Sequence, residues 1–288
     1  SRPLVLYYQN VRGLRTKLTS FRTAVPSCDF DVCVLTETWL TEDIPTAMVF
    51  DDDFSVYRCD RSGTNSNRSR GGGTLIACAS YLDSSSVPLG SHSLEMAWAR
   101  VRLGCENLYI GAVYLPPDRS SSVPDLESIN ECTSLIVERM GPNDRMLLIG
   151  DFNLPAITWS PAGLTFVPTG ANSSSATLLD GLAAVGLRQV SGIQNRFGRQ
   201  LDLIFADSSE FAARLDVDAA AVRLVPEDHH HPAITLTIRL RDPPDAARPP
   251  PTARPTRLNY AKCNLDRLNH LVLDADWSSV DNARSVDD

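Results

Sequence analysis

The sequence predicts an α/β protein built on antiparallel or mixed β-sheets, and three observations carry that prediction. Apolar runs with strand character outnumber the helical patterns. The two kinds of element follow one another irregularly rather than in strict βαβα alternation, which argues against a purely parallel sheet. Several runs alternate apolar and polar residues with period two, as half-buried strands do.

Taken in chain order, Leu4–Tyr8 is the first strand and Leu14–Val25 a helix candidate, followed by a strand at Asp31–Leu35. Arg58–Gly73 (RCDRSGTNSNRSRGGG) is polar and Gly-rich, reads as a loop and carries Arg58, Arg61, Arg68 and Arg70. Strands are expected at Thr74–Ala79, Met96–Leu103 and Leu108–Leu115. Pro124–Met140 reads as a helix: Leu126, Ile129, Ile136, Val137 and Met140 share one face, and Pro124 and Asp125 suit its first turn. A strand at Met146–Ile149 precedes an uncharged polar loop at Ser160–Ser175 and a helix candidate at Ala176–Leu187. Leu201–Phe205 and Ala233–Leu240 are the last strands, the latter alternating strictly from Ala233 to Ile238.

At Asp242 the composition changes. Asp242–Pro255 (DPPDAARPPPTARP) is proline-rich and reads as an extended linker. After it, Leu258–Leu273 has helical spacing, with Leu265, Leu268, Leu271 and Val272 apolar. That stretch is too short for a domain and reads as the start of something longer. The opening Ser1 in place of Met also points to a fragment of a longer chain. No secretory cleavage pattern precedes Leu4–Tyr8.

Bulk properties narrow the function. With 43% hydrophobic and 22% charged residues the chain is ordinary for a globular protein. No apolar run approaches the roughly 18 residues of a membrane span. The formal charge of −8 and pI of about 5.1 exclude a protein that holds nucleic acid by a uniformly basic surface. They leave room for a metal-dependent nuclease, because such a site needs clustered carboxylates and a local basic loop can still bind phosphate. The seven cysteines (Cys28, Cys33, Cys59, Cys78, Cys105, Cys132, Cys263) form no CxxC pair and several lie in apolar runs, so they read as reduced core thiols of an intracellular protein.

Polar residues standing where apolar runs end are the candidate site, because a strand fixes the direction of the side chain that ends it. Asn10 follows the first run, Glu37 the second, and Asp151 and Asn153 follow Met146–Ile149. Asp202 begins a run, and Asp228 with His229, His230 and His231 precedes the last strand. One Asp or Asn at a strand end is usually a turn former or a helix cap. Five such positions of these types along one chain point to phosphodiester hydrolysis. Hard carboxylate oxygens bind Mg²⁺, the cation neutralises phosphate charge, and a carboxylate-oriented histidine acts as base or hydrogen-bonds the phosphate. Trp39, Trp98 and Trp159 read as packing residues, and the histidine run reads neither as a tag nor as a zinc site.

In their order and spacing, Gln9–Leu14 (QNVRGL), Thr36–Leu40 (TETWL), Arg70–Gly73 (RGGG), Val113–Pro117 (VYLPP), Gly150–Asn153 (GDFN) and Leu201–Ile204 (LDLI) resemble the signature of the endonuclease/exonuclease/phosphatase superfamily. The resemblance spans roughly residues 4–240. It is closest in kind to the apurinic/apyrimidinic endonuclease-like endonuclease domains of LINE-type (non-LTR) retrotransposon proteins. It implies a DNase-like four-layer α/β sandwich of two packed mixed β-sheets flanked by helices. It divides the chain into a catalytic domain (1–241), a Pro-rich linker (242–257) and the start of a segment leading to a reverse transcriptase domain (258–288).

The resemblance also implies roles. Glu37 is the main Mg²⁺ ligand with Asn10 beside it, and Mn²⁺ is an acceptable substitute. Asp151 activates or orients the attacking water, and Asn153 and Asn10 hold phosphate. Tyr114 bonds the phosphate or the leaving oxygen, Asp202 supports the site, and Asp228 pairs with a histidine. Counting forward from Asp228 favours His229; counting back from Pro232 gives His230; elements with histidine directly before the proline give His231. Arg12 stands where repair enzymes carry an acidic residue, which leaves fewer carboxylates for metal. Arg68, Arg70 and Arg119 are candidates for DNA contact. The implied partners are double-stranded DNA and a reverse transcriptase domain in the same longer chain, with no membrane and a nuclear site of action. The implied activity is nicking of one DNA strand to leave a 3′-hydroxyl primer. The rivals are a phosphatase or phospholipase of the same superfamily and a catalytically inactive DNA-binding module.

Overall fold

The first strand is apolar almost throughout because both of its faces are covered. In β1 (Leu4–Asn10), Leu4, Leu6 and Tyr8 enter one core, while Tyr7 enters another. That period-two division between two apolar layers is the plan of the whole molecule. The computed structural model describes residues 2–66, 68, 70–90, 93–167, 173–241 and 264–275.

The chain continues through α1 (Leu18–Ala24), β2 (Val32–Thr36), β3 (Phe54–Cys59), β4 (Thr74–Ala79), β5 (Asp83–Ser86), β6 (Glu95–Leu103) and β7 (Glu106–Tyr114). Then come α2 (Val123–Val137), β8 (Arg145–Asp151), the short β9 (Thr158–Trp159) and β10 (Phe166–Val167), and α3 (Ser173–Ala184). The rest is β11 (Arg188–Gln189), β12 (Asp202–Ala206), α4 (Ser209–Ala212), β13 (Leu215–Ala219), β14 (Ile234–Ile238) and α5 (Leu265–Asp274).

Two six-stranded sheets result, in the orders β13-β14-β1-β2-β4-β3 and β11-β12-β8-β7-β6-β5. Each is mixed: β1 runs parallel to β2 and β7 parallel to β8, and the other pairs are antiparallel. Leu6, Val34 and Ile76 of the first sheet meet Ala99, Ile110 and Ile149 of the second in a shared core. The outer face of the first sheet carries Phe21 of α1 with Phe30 and Phe50. The outer face of the second packs on Leu126 and Ile129 of α2 and Leu178 and Leu182 of α3. This is the sandwich the resemblance implies. No described helix is long and apolar enough to cross a membrane.

The expected strands are present, with ends displaced by a residue or two. β14 keeps the alternation read from Ala233–Ile238: Ile234, Leu236 and Ile238 are buried, and the threonines between them are half-buried. The strands that lack a sequence signal lie at edges or in hairpins. β5 (DSSS) is polar yet pairs with β6, and β13 (LDVDA) pairs with β14, because the neighbour supplies the ladder. β3 reaches into the stretch read as a loop from Arg58, and β10, inside the stretch read as a loop from Ser160, pairs with β9 just ahead of it. α1 starts at Leu18 rather than Leu14, whose side chain is buried ahead of the helix.

The linker at 242–257 lies outside the described residues. Within the following segment α5 is helical, and it leaves Leu271, Val272 and Leu273 exposed. The six described cysteines are free thiols, four of them buried.

Candidate active site

Strand register gathers the polar residues at one rim. In the second sheet the pairs Tyr114↔Asp151 and Asp202↔Asp151 set three side chains in a row across β7, β8 and β12. In the first sheet Asn10 lies beside Thr36, so Glu37, the next residue, leaves the sheet next to Asn10. The two sheets pack face to face, and their rims bring these sets into contact. Asn10 Nδ2 donates to Asp151 Oδ2 at 2.9 Å and to Glu37 Oε1 at 3.3 Å. Asn10 Oδ1 accepts from the Arg12 amide at 3.1 Å, so the side chain faces the carboxylates with its N–H group.

The histidine in this group is His231. Its Nδ1 lies 3.0 Å from Asp202 Oδ2 and 3.7 Å from Asp151 Oδ2. The expectation that favoured His229 is corrected: His229 is exposed beside Arg196, and His230 is exposed and stacked on Phe197 with ring centroids 4.6 Å apart. The reason is a tight turn in which the His231 amide donates back to the Asp228 carbonyl. That turn directs the first two imidazoles to solvent and the third inward. The expected pairing of Asp228 with the histidine is corrected too. Asp228 bonds Arg12 at 2.5 Å and the His230 amide at 2.8 Å, and Asp202 is the carboxylate that faces the imidazole.

Electrostatics follow from burial. Burial, then the charge of Asp202, pushes the Asp151 carboxyl well above the usual carboxylate range. Burial alone would lower the His231 imidazole, but Asp202, by charge and hydrogen bond, outweighs it and holds the group up at about 9. At Asp228, partial burial is outweighed by the His230 amide and Arg12, which hold its carboxyl below its ordinary value. Burial, and then Glu37, pushes the Tyr114 hydroxyl far up, and that hydroxyl bonds Glu37.

Asp202 also accepts from Tyr8 at 2.5 Å, and Tyr8 Oη lies 3.1 Å from Thr36 Oγ1. Tyr8 is a site residue that the end-of-run rule overlooks. Its signal is its place two residues before Asn10, on the same face of β1. Asn153 has a left-handed backbone (φ 47°), donates from its amide to Asp151 Oδ1 at 3.1 Å and from Nδ2 to the Leu115 carbonyl at 3.0 Å.

Ligand atoms of Glu37, Asp151 and His231 lie within 4.8 Å of one another. Three carboxyl groups (Glu37, Asp151, Asp202) crowd one imidazole, and the repulsion that helps raise Asp151 is what a hard divalent cation offsets. The donor set therefore fits such a cation, with Glu37 and Asp151 as the oxygen ligands.

Beside Glu37 a cavity of about 560 Å³ is lined by Arg15, Trp39, Arg61, Arg68, Arg70 and Tyr114. Arg68 also pairs with Asp118 at 3.0 Å. Arg119 does not reach this surface as a free cation: it is bound by Asp125 and donates to the Asn65 and Ser93 carbonyls, both at 2.9 Å. Trp98 is buried as expected, whereas Trp39 is 41% exposed at the cavity edge.

Three comparisons bear on this geometry. The model of the endonuclease/exonuclease/phosphatase family matches residues 8–229. No curated protein matches the chain. Among solved structures, the endonuclease domain of TRAS1, a telomere-specific non-LTR retrotransposon, is similar at 17% identity and TM-score 0.59, covering 83% of this chain and 100% of that one. The AP endonuclease LMAP from Leishmania major is similar at 14% identity and TM-score 0.63, covering 83% of this chain and 89% of that one. The 3′ phosphatase NExo from Neisseria, bound to product DNA hairpin, is similar at 17% identity and TM-score 0.57, covering 82% and 99%.

Proposed function

The chain belongs to the endonuclease/exonuclease/phosphatase family, and from that membership we propose that it is a Mg²⁺-dependent endonuclease that nicks one strand of duplex DNA. The observation that carries the reading is the cluster at the sheet rims in which Asn10, Glu37, Asp151, Asp202 and His231 converge. The likeness to a retrotransposon endonuclease domain and to a DNA-bound phosphatase supports DNA as substrate. On the same reading the catalytic domain ends before Asp242, and a following reverse transcriptase domain extends the 3′-hydroxyl in the nucleus.

A bound Mg²⁺ would supply charge neutralisation of the phosphate, held by Glu37 and Asp151. The protein's own groups do the rest. Asp151 orients a water and takes its proton. The water oxygen bonds to phosphorus as the bond to O3′ breaks; O3′ leaves as an alkoxide and takes a proton from solvent water to become the 3′-hydroxyl, with a 5′-phosphate on the other fragment. His231, held protonated by Asp202, hydrogen-bonds the phosphate while its charge builds. Asn153 holds a phosphate oxygen, and Tyr114 donates to the leaving oxygen. Arg68 and Arg70, at the neighbouring cavity, hold a flanking phosphate.

Supercoiled plasmid tests the reading. Open-circular product is expected with Mg²⁺ and none with chelator, and Glu37→Ala and Asp151→Ala should each lose at least about 100-fold. Unchanged nicking by either variant sinks the mechanism. Release of phosphate from a 3′-phosphorylated oligonucleotide without nicking would select the phosphatase reading instead.

A further inference from the structure

Glu37 is held from an unexpected side. After β2 the chain passes through two non-glycine residues in the left-handed region, Glu37 (φ 52°) and Trp39 (φ 54°). Such conformations cost about 1–3 kcal/mol each and persist where the surroundings impose them. Here the surroundings are two glycine segments. Gly13 N donates to the Glu37 carbonyl at 2.7 Å and Leu14 N to the Thr38 carbonyl at 2.9 Å. From the other side, Thr38 N and Trp39 N donate to the Gly73 and Gly72 carbonyls at 3.3 and 2.8 Å.

The indole then lies where only glycine leaves room. A Cβ on Gly13 would stand 2.7 Å from Trp39 Cε3. So placed, Trp39 Nε1 donates to Glu37 Oε2 at 3.1 Å. Asn10 donates to the other oxygen, Oε1. Each oxygen of the carboxylate thus has its own donor, and the group is held at both ends. Burial alone does not account for the indole's position, since the residue is 41% exposed. The hydrogen bond to Glu37 does.

We propose that Trp39 is a positioning residue: its indole N–H fixes the Glu37 carboxylate in the orientation that receives a divalent cation, and it relays the rigidity of the Gly13 and Gly71–Gly73 segments to that carboxylate. Trp39 touches neither metal nor scissile phosphate in this role. The inference rests on the metal-dependent reading given above. Donors that orient a ligand from behind typically change metal affinity or activity by about 10–100-fold.

The probe is Mn²⁺ alone, counted as free ion by electron paramagnetic resonance against wild type, Trp39→Phe, Glu37→Ala and the double variant. Phe keeps the ring and loses only the N–H. Trp39→Phe is expected to weaken Mn²⁺ binding about tenfold and to shift the Mg²⁺ midpoint of nicking by the same factor. Its rate at saturating Mg²⁺ should stay within about threefold of wild type. The double variant should bind no more weakly than Glu37→Ala, because the indole acts only through Glu37. Trp39→Leu, which keeps an apolar side chain without the N–H, should weaken Mn²⁺ binding in the same direction, and it serves if Trp39→Phe folds poorly.

Mn²⁺ affinity within twofold of wild type in Trp39→Phe, or an additive loss in the double variant, overturns the proposal. A wild-type protein that takes up no Mn²⁺ is a different result: it sinks the metal reading, and this inference falls with it.

Discussion

Replacing His229, His230 and His231 one at a time with alanine separates three adjacent imidazoles that the sequence does not distinguish. The structure assigns them unequal costs. His231 is buried and its Nδ1 faces Asp202 at 3.0 Å, with Asp202 only 2% exposed. Removing one member of a buried charged pair typically costs 3–5 kcal/mol, because the partner is left without compensation. Tyr8 still donates to Asp202 at 2.5 Å and relieves part of that penalty. We therefore expect about 3 kcal/mol for His231→Ala. For a domain of this size that corresponds to a fall in Tm of roughly 6–12 °C. His230→Ala loses an exposed ring contact with Phe197 and should cost at most about 1 kcal/mol. His229→Ala, at an exposed position, should stay within about 0.5 kcal/mol. Nicking should fall by roughly 10²–10⁴-fold for His231→Ala and by less than about threefold for His229→Ala. The assays are thermal unfolding by circular dichroism with chelator present and plasmid nicking at saturating Mg²⁺. A His229→Ala variant as inactive as His231→Ala, or a His231→Ala variant with wild-type Tm and activity, would refute the assignment.

Two further perturbations probe the frame around the site. The Asp125 carboxyl, though partly buried, is held below its usual value by Arg119. A depressed carboxyl contributes stability that is present above its unfolded value near about 3.9 and lost as pH falls through its folded value. In urea titrations Asp125→Asn should therefore be about 1–2 kcal/mol less stable than wild type at pH 7, with the gap closing below about pH 4; a gap that does not depend on pH contradicts the pairing. Gly72 (φ 65°) has no room for a side chain, since a Cβ would lie 1.9 Å from Glu95 Oε2 within the buried Arg61–Glu95 pair, so Gly72→Ala should cost roughly 3 kcal/mol, while Gly63→Ala, with open space around its Cβ, should be close to neutral in the same thermal melts.

Much of the architecture is legible in the sequence because it is written in local periodicity. The central strands lie between two apolar layers or against one, so Leu4–Tyr8 and Ala233–Ile238 announce themselves without reference to anything distant. Edge strands such as β5 (DSSS) do not, because their hydrogen bonds come from a neighbour and their side chains face solvent. The site divides along the same line. Asn10, Glu37, Asp151 and Asp202 end or begin strong strands, so the rule that ligands stand at strand ends finds them. Tyr8 and Trp39 escape it. One lies within a strand, and the other reads as a packing residue until the glycines around it are placed in space.

By itself, then, the sequence determined that the chain is a mixed α/β protein, where its main strands run, and which carboxylates and amides stand at their ends, since each of those is a statement about neighbours in the chain. Only the tertiary structure decided which groups meet. The partner of His231 is Asp202, 29 residues away, rather than Asp228, three away. Arg119 is spent on Asp125, and Asp228 on Arg12. The physical reason is that a side chain's partner is fixed by strand register and by a turn's direction. Register is set by the packing of a whole sheet against its neighbour, and no short run of residues contains it.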